Sequence, residues 1–191
     1  MKDAIMREAA LEIMQRGLKF SIRELAARTG ISTKTLYQHF ASKEELVTSL
    51  VERAVVQMKE REREVLADES LPAVTKLYET LAILPRGFAF ADVRILRELR
   101  SLYPKAWLVL DEYFNEGWDN IRVLIDRGFE QGALRPFDVD TFIHAYVGAI
   151  YRMMDFEAFG QRGIAMEKAL GDTVDLLMNG IVAGDGKEVR L

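Results

Sequence analysis

Ser21, Ser32 and Ser42 follow one another at short intervals, each just ahead of a run that can be helical. A serine hydroxyl in that position accepts a hydrogen bond from an amide of the coming first turn, so each is a helix start. Ser21-Ile-Arg-Glu24 and Ser42-Lys-Glu-Glu45 also carry the glutamate three residues on that closes a capping box, its carboxylate reaching back to the cap. Between the first two starts lies Gly30, which accepts the left-handed conformation that a sharp reversal needs. The spacing therefore predicts short helices over 22–28 and 33–39 and a longer one that starts at Lys43 and runs past Arg63.

Side-chain spacing orients these helices. Ile5, Ala9, Ile13 and Met14, with Ala10 beside them, mark one face of a first helix that Gly17 ends. Ile22, Leu25 and Ala26 face inward on the next, Ile31 plugs the turn, and Leu36 and Phe40 share a side at i, i+4. What remains outward on 33–39 is Thr33, Lys34, Thr35, Tyr37, Gln38 and His39. Three short helices with a glycine turn describe a helix-turn-helix, and side chains of these types reach base edges and phosphates. Tyr37 can lie against the core and offer its hydroxyl to a phosphate. The same spacing also fits a solvated helix hairpin that binds nothing.

Beyond the break at 67–71 the helices lengthen. Pro72 suits a first helical turn ahead of Val74, Leu77, Tyr78, Leu81 and Leu84, and Pro85-Arg-Gly87 interrupts the pattern. Ile95, Leu96, Leu99 and Leu102 mark another helix, halted by Pro104. From Trp107 to Phe129 apolar positions recur without an obvious stop, and Gly132 and Pro136 close the segment. Residues 138–159 are apolar nearly all round, and 164–182 carry a stripe of Leu170, Val174, Leu177, Met178 and Ile181. The end of the 43–66 helix, KEREREVL, reads as a mixed-sign solvated face.

Composition narrows the classes. Hydrophobic residues make up 49% and only four prolines occur, so a packed helical core is available. The absence of cysteine excludes disulfide frameworks, thiolate metal sites and cysteine nucleophiles. Acids interrupt the N-terminal apolar pattern, which argues against a signal peptide, and no run approaches the ~18 apolar residues of a membrane span. The expectation is a soluble cytoplasmic protein with no membrane partner. The net charge of −4 divides unevenly: residues 1–66 hold 12 basic and 10 acidic groups, and residues 67–191 hold 14 and 20. That division is compatible with a basic head on an acidic body, although ordinary scatter of surface charge would also produce it.

The stretch from Ile5 through Thr29-Gly30-Ile31-Ser32 to Thr35-Leu36-Tyr37-Gln38-His39-Phe40-Ala41-Ser42-Lys43-Glu44-Glu45-Leu46 resembles the N-terminal domain of the tetracycline-repressor (TetR) family, with TLYQHFASKEEL its most specific part. ELRSLYPKAW and GFEQGALRP are similar to segments many such regulators carry further along. The resemblance implies an all-α fold in two parts. Residues 1–48 would be the helix-turn-helix DNA-binding domain, with helix 43–66 as its link to a larger ligand-binding and dimerisation domain over 67–191. It implies a ligand-responsive, sequence-specific repressor in the bacterial cytoplasm, associated with the nucleoid. Its partners would be two-fold-symmetric double-stranded operator DNA, an unidentified small-molecule effector and a second copy of the chain.

On that resemblance the DNA-contact set is Ser21, Ser32, Thr33, Lys34, Thr35, Tyr37, Gln38, His39 and Lys43, with Tyr37, Lys43 and the first amides of the 43–66 helix at the DNA backbone. Lys34 departs from the family pattern, which often has a small residue there; it can meet a guanine or a phosphate. His39 can touch DNA or pack. Candidate effector contacts are Phe88, Leu99, Tyr103, Trp107, Tyr113, Phe114, Trp118, His144 and Tyr151, though aromatics at helical spacing are also plain core. His144 can line a pocket or sit in the core or an interface.

A helix apolar on all sides must be covered on all sides, so 138–159 points to a partner copy or to the centre of a monomeric bundle. The resemblance favours a four-helix dimer interface, to which Phe142, Ala145, Tyr146, Ala149, Met153, Leu170, Val174, Leu177, Met178 and Ile181 are assigned. Ala145, Gly148 and Ala149 would let helices approach closely.

Two rival classes remain at this stage. An enzyme is disfavoured: the two histidines, His39 and His144, stand in no Glu-x-x-His motif, no glycine-rich phosphate loop occurs, and Asp111-Glu112 and Asp138…Asp140 read as surface and capping acids. No catalytic residue, metal ligand or cofactor is expected. The other is a helix-turn-helix regulator without a small-molecule ligand, or a protein-interaction module whose helix-turn-helix has lost DNA; activation stays open beside repression.

Overall fold

The computed structural model describes residues 1–84, 93–154 and 166–181, and each of the three serines starts a helix in it. Those residues form ten helices: α1 (Lys2–Arg16), α2 (Ile22–Arg28), α3 (Thr33–His39), α4 (Lys43–Ala67), α5 (Ala73–Leu81), α6 (Val93–Leu102), α7 (Pro104–Asn115), α8 (Asp119–Glu130), α9 (Val139–Met153) and α10 (Met166–Ile181). The Ser21, Ser32 and Ser42 hydroxyls accept from the amides of Glu24, Thr35 and Glu45 at 3.4, 3.0 and 3.0 Å. The Glu45 carboxylate reaches back to the Ala41 amide at 2.6 Å, whereas that of Glu24 turns to the Arg16 guanidinium. Gly30 takes φ 69°, and its amide and that of Ile31 return to the carbonyls of Ala27 and Ala26 at 3.2 and 3.0 Å. That pair of bonds satisfies the last carbonyls of α2 while the chain turns.

α1, α2, α3 and the start of α4 form a head around Ile5, Ala9, Ile13, Leu25, Leu36, Phe40 and Leu46, all buried. Burial of Leu36 and Phe40 fastens the two-turn α3, at about 1.5–3 kcal/mol for each side chain. Met14, expected on the inner face of α1, is exposed, because one residue past Ile13 is about 100° further round the helix. Met6 and Glu12 occupy inner positions instead, and the Glu12 carboxylate is bonded to Arg28, with Arg16 at 3.7 Å.

α4 continues from the head into the body with buried residues from Leu46 to Val65. It packs on α7 and α5; α5 packs on α8, α10 on α9 and α5, and α6 on α7. Lys76 on α5 is buried and donates to the Leu66 carbonyl at 2.6 Å, which closes the end of α4. Head and body share one continuous apolar core, from Ile5 to Ile181.

Three expectations about the body need correction. The Trp107–Phe129 segment is two helices, because Gly117 at φ 78° turns the chain between α7 and α8 while both keep an apolar face on the same core. Leu102 is exposed at the end of α6. α9 is not apolar all round: Thr141, His144, Ala145, Gly148 and Arg152 lie exposed, small or polar residues that a count of apolar neighbours passes over. Pro85-Arg-Gly87 and residues 155–159 lie outside the described residues. No helix among the described residues is long and apolar enough to cross a membrane.

Candidate DNA-binding face and effector cavity

Once Leu36 and Phe40 are committed to the core, the rest of α3 has nowhere to go but outward. Thr33, Lys34, Tyr37 and Gln38 are exposed, Thr35 and His39 half-buried, and the capping Ser21 and Ser32 exposed. The Ser32 and Thr35 hydroxyls lie 2.9 Å apart, so the start of α3 is pre-ordered. Lys43 is less free than its neighbours. Its ammonium donates to the Phe20 carbonyl at 2.6 Å and lies 4.1 Å from the centre of the Phe20 ring. Burial pushes its pKa down, opposed by the nearby Glu98 carboxylate. The first-turn amides of α4 have no acceptor within their own helix, which leaves that end electropositive.

Body and head meet at the turn between α1 and α2. The Glu98 carboxylate accepts from the Leu18 amide at 2.8 Å, and the Tyr103 hydroxyl donates to the Leu18 carbonyl at 3.2 Å. Gly17, at φ 75°, passes so close that a Cβ there would stand 2.9 Å from the same carboxylate. Lys105 approaches Glu44 at 3.8 Å. Tyr103, a candidate effector contact by sequence, thus belongs to this junction. Nothing local in the sequence marks Glu98, since its partner is 80 residues away.

The body holds a half-open cavity of about 70 Å³ between α4, α5, α7, α8, α9 and α10. Tyr113, Phe114, Trp118 and Tyr146 supply rings, with Tyr113 edge-to-face on Phe114 at 5.7 Å and Trp118 on Tyr146 at 5.6 Å. Leu81, Ile121, Ile150, Met154, Met166 and Leu170 supply aliphatic wall. Apart from the ring residues, its polar side chains among the described residues are Glu62, Glu116 and Thr80. Asn120 donates to Glu62 at 3.0 Å, and the Thr80 hydroxyl is buried with no hydrogen-bond partner among the described residues. The Tyr146 hydroxyl donates to the Leu81 carbonyl at 2.6 Å.

Of the sequence candidates, Tyr113, Phe114 and Trp118 line this cavity. Leu99 is core, and Trp107 and Tyr151 pack edge-to-face at 6.2 Å outside it, with the Tyr151 hydroxyl donating to Asp111. His144 is exposed on α9, its ring nitrogen 2.8 Å from the Asp140 carbonyl, and Phe88 lies outside the described residues. Glu62, Thr80 and Glu116 escaped sequence reasoning because acids and threonines on amphipathic helices look like solvent-facing residues. Of the residues assigned to dimerisation, Phe142, Tyr146, Met153, Leu170, Val174, Met178 and Ile181 are buried within the chain itself. Ala145 is exposed, Ala149 and Leu177 are half-buried, and Leu176 beside them is 75% exposed.

A braced polar helix set on a glycine turn, joined through one long helix to a helical body, is the build of a helix-turn-helix transcriptional regulator. Residues 5–50 match the bacterial regulatory proteins of the tetR family. The chain is 34% identical over 185 residues, 97% of each chain, to an uncharacterised HTH-type transcriptional regulator, YvaF, of Bacillus subtilis (strain 168). It therefore belongs to the tetR family, a family of regulators rather than enzymes. Its fold is also similar to that of the TetR-family regulator PfmR from Thermus thermophilus, with a TM-score of 0.63 and 26% identity over 92% of this chain and 97% of that one. A Saccharomonospora viridis protein solved in complex with choline is similar in fold as well, with a TM-score of 0.73 and 21% identity over 96% and 98% of the two chains.

Proposed function

We propose that this regulator is a homodimeric repressor that holds a two-fold-symmetric operator through α3 and lets go when a small molecule enters the body cavity. The observation that carries the reading is that one helix serves both sites: α4 starts beneath α3 and supplies Glu62 to the cavity wall. The head, residues 1–48, reads DNA; α4 links it to the effector and dimer body, 67–191. Thr33, Lys34, Tyr37 and Gln38 meet bases or phosphates. Lys43 reaches a phosphate by exchanging the Phe20 carbonyl for it. The choline complex of a protein with this fold supports a small-molecule effector. An effector acts by preferring the state whose heads are set wrongly for DNA.

Two copies pair through the exposed strip of α9 and the adjoining face of α10. Ala145, Gly148 and Ala149 allow close approach, no atom lies within 4 Å of a Cβ built on Gly148, and Leu176 is an exposed apolar residue in want of cover. Pairing sets two heads about 34 Å apart, one turn of duplex. The protein works in the cytoplasm, at the nucleoid.

The test is selection of genomic fragments by the purified protein, followed by anisotropy titrations at several salt concentrations. Gln38→Ala should relax base preference, whereas Lys43→Ala should weaken every sequence and flatten the salt slope by about one. Retention of no fragment above non-specific binding, with and without cell extract, would reject the reading.

A further inference from the structure

The cavity wall has a definite electrical character. Its two charged groups among the described residues are both carboxylates, Glu62 and Glu116, set beside the rings of Tyr113, Phe114 and Trp118. The Tyr113 hydroxyl is held above the ordinary phenol range, first by burial and then by the Glu62 carboxylate. A neighbouring groove shares Ile83 and Leu84 with the cavity and is walled by Glu60, Glu64 and Glu79. Arg61 in that groove is already engaged, at 3.1 Å from Glu64 and 3.4 Å from Glu79.

We propose that the effector is a small organic cation with an apolar body, its charge against Glu62 and Glu116 and its body against the rings; this rests on the reading that the cavity takes an effector. Ring faces attract a cation through their quadrupole, and carboxylates beside the rings add Coulomb attraction for it. The acidic groove raises the local concentration of cations at the approach. An anionic ligand would meet two like charges and no lysine or arginine on the described wall. The unpartnered Thr80 hydroxyl offers one further hydrogen bond, which lets the site tell a ligand with a polar substituent from one without.

The experiment uses the full chain with Trp107→Phe, which leaves Trp118 as its one tryptophan. Three probes of one shape are titrated against its emission and by calorimetry: benzyltrimethylammonium, uncharged neopentylbenzene and benzylphosphonate. The cation should bind saturably, the neutral probe about tenfold more weakly or worse, and the anion not at all. Glu62→Gln with Glu116→Gln should cost the cation about tenfold and leave the neutral probe unchanged. Glu116→Gln alone, at an exposed residue, gives the same test if the double variant does not fold. Equal or tighter binding of the neutral or anionic probe, lost when Ile150→Phe narrows the cavity, would overturn the charge assignment and keep the effector reading. No binding of any probe would overturn both.

Discussion

Removing the Glu98 carboxylate measures how firmly body and head are clasped. In Glu98→Ala the Leu18 amide, on a fully buried residue, loses its acceptor at 2.8 Å. An orphaned buried donor costs about 1–3 kcal/mol, and the half-buried setting of Glu98 lets water recover part of it, so about 2 kcal/mol is expected. For a chain of this size each kcal/mol moves Tm by about 2–4 °C, which gives a fall of about 4–8 °C. Tyr103→Phe removes the weaker bond to the Leu18 carbonyl and should cost about 1 kcal/mol. Because both bonds fall on one residue of one turn, the double variant should depart from additivity by about 0.5 kcal/mol or more. Urea and thermal unfolding of the four proteins supply the cycle. A Glu98→Ala loss under about 0.5 kcal/mol would refute the clasp, because it would mean that water satisfies the Leu18 amide just as well.

A Cβ on Gly128 would stand 2.5 Å from Leu134 Cδ1, so Gly128→Ala should cost about 1–3 kcal/mol in urea unfolding, and Leu134→Ala made in the same chain should lessen the penalty of the added methyl. Glu12→Ala should destabilise by about 1–3 kcal/mol, since Arg28 loses its buried partner while its exposed part keeps water. Asp138 has its pKa lowered by hydrogen bonds from Thr141, so its contribution is present above the unfolded carboxyl value and is lost as pH falls through the depressed folded one. Tm measured from pH 6 down to pH 2 should therefore fall less steeply in Asp138→Asn than in the parent.

Legibility follows the range of the interaction. Ser21, Ser32, Ser42 and Gly30 act on amides and carbonyls within five residues, and the helix ends they predict over 22–43 are the ends observed. The break at Gly117 is hidden because apolar spacing runs on through it from α7 to α8; only the positive φ reveals it. Met14 departs from expectation by one helical position, and α9 because alanine and glycine, which do not demand burial, count as apolar in a sequence pattern. Glu98, Glu62 and Tyr103 take their roles from partners 80, 58 and 85 residues away, and no local pattern encodes such a pairing. Thr80 is a cavity residue for the same reason: its setting is made by helices far along the chain.

α4 has a consequence for how such chains can be recombined. Its buried residues recur at every turn from Leu46 beneath α3 to Met58, and Val65 follows near its end beside the body. A chimera joined at the formal boundary near residue 48 would give a foreign head half of a helix whose other half was shaped against α7 and α5. The seam would cut a continuous packed surface rather than a linker. On the proposal that α3 reads DNA, the unit that can be exchanged is its outward helix face, grafted onto another scaffold, and not a domain.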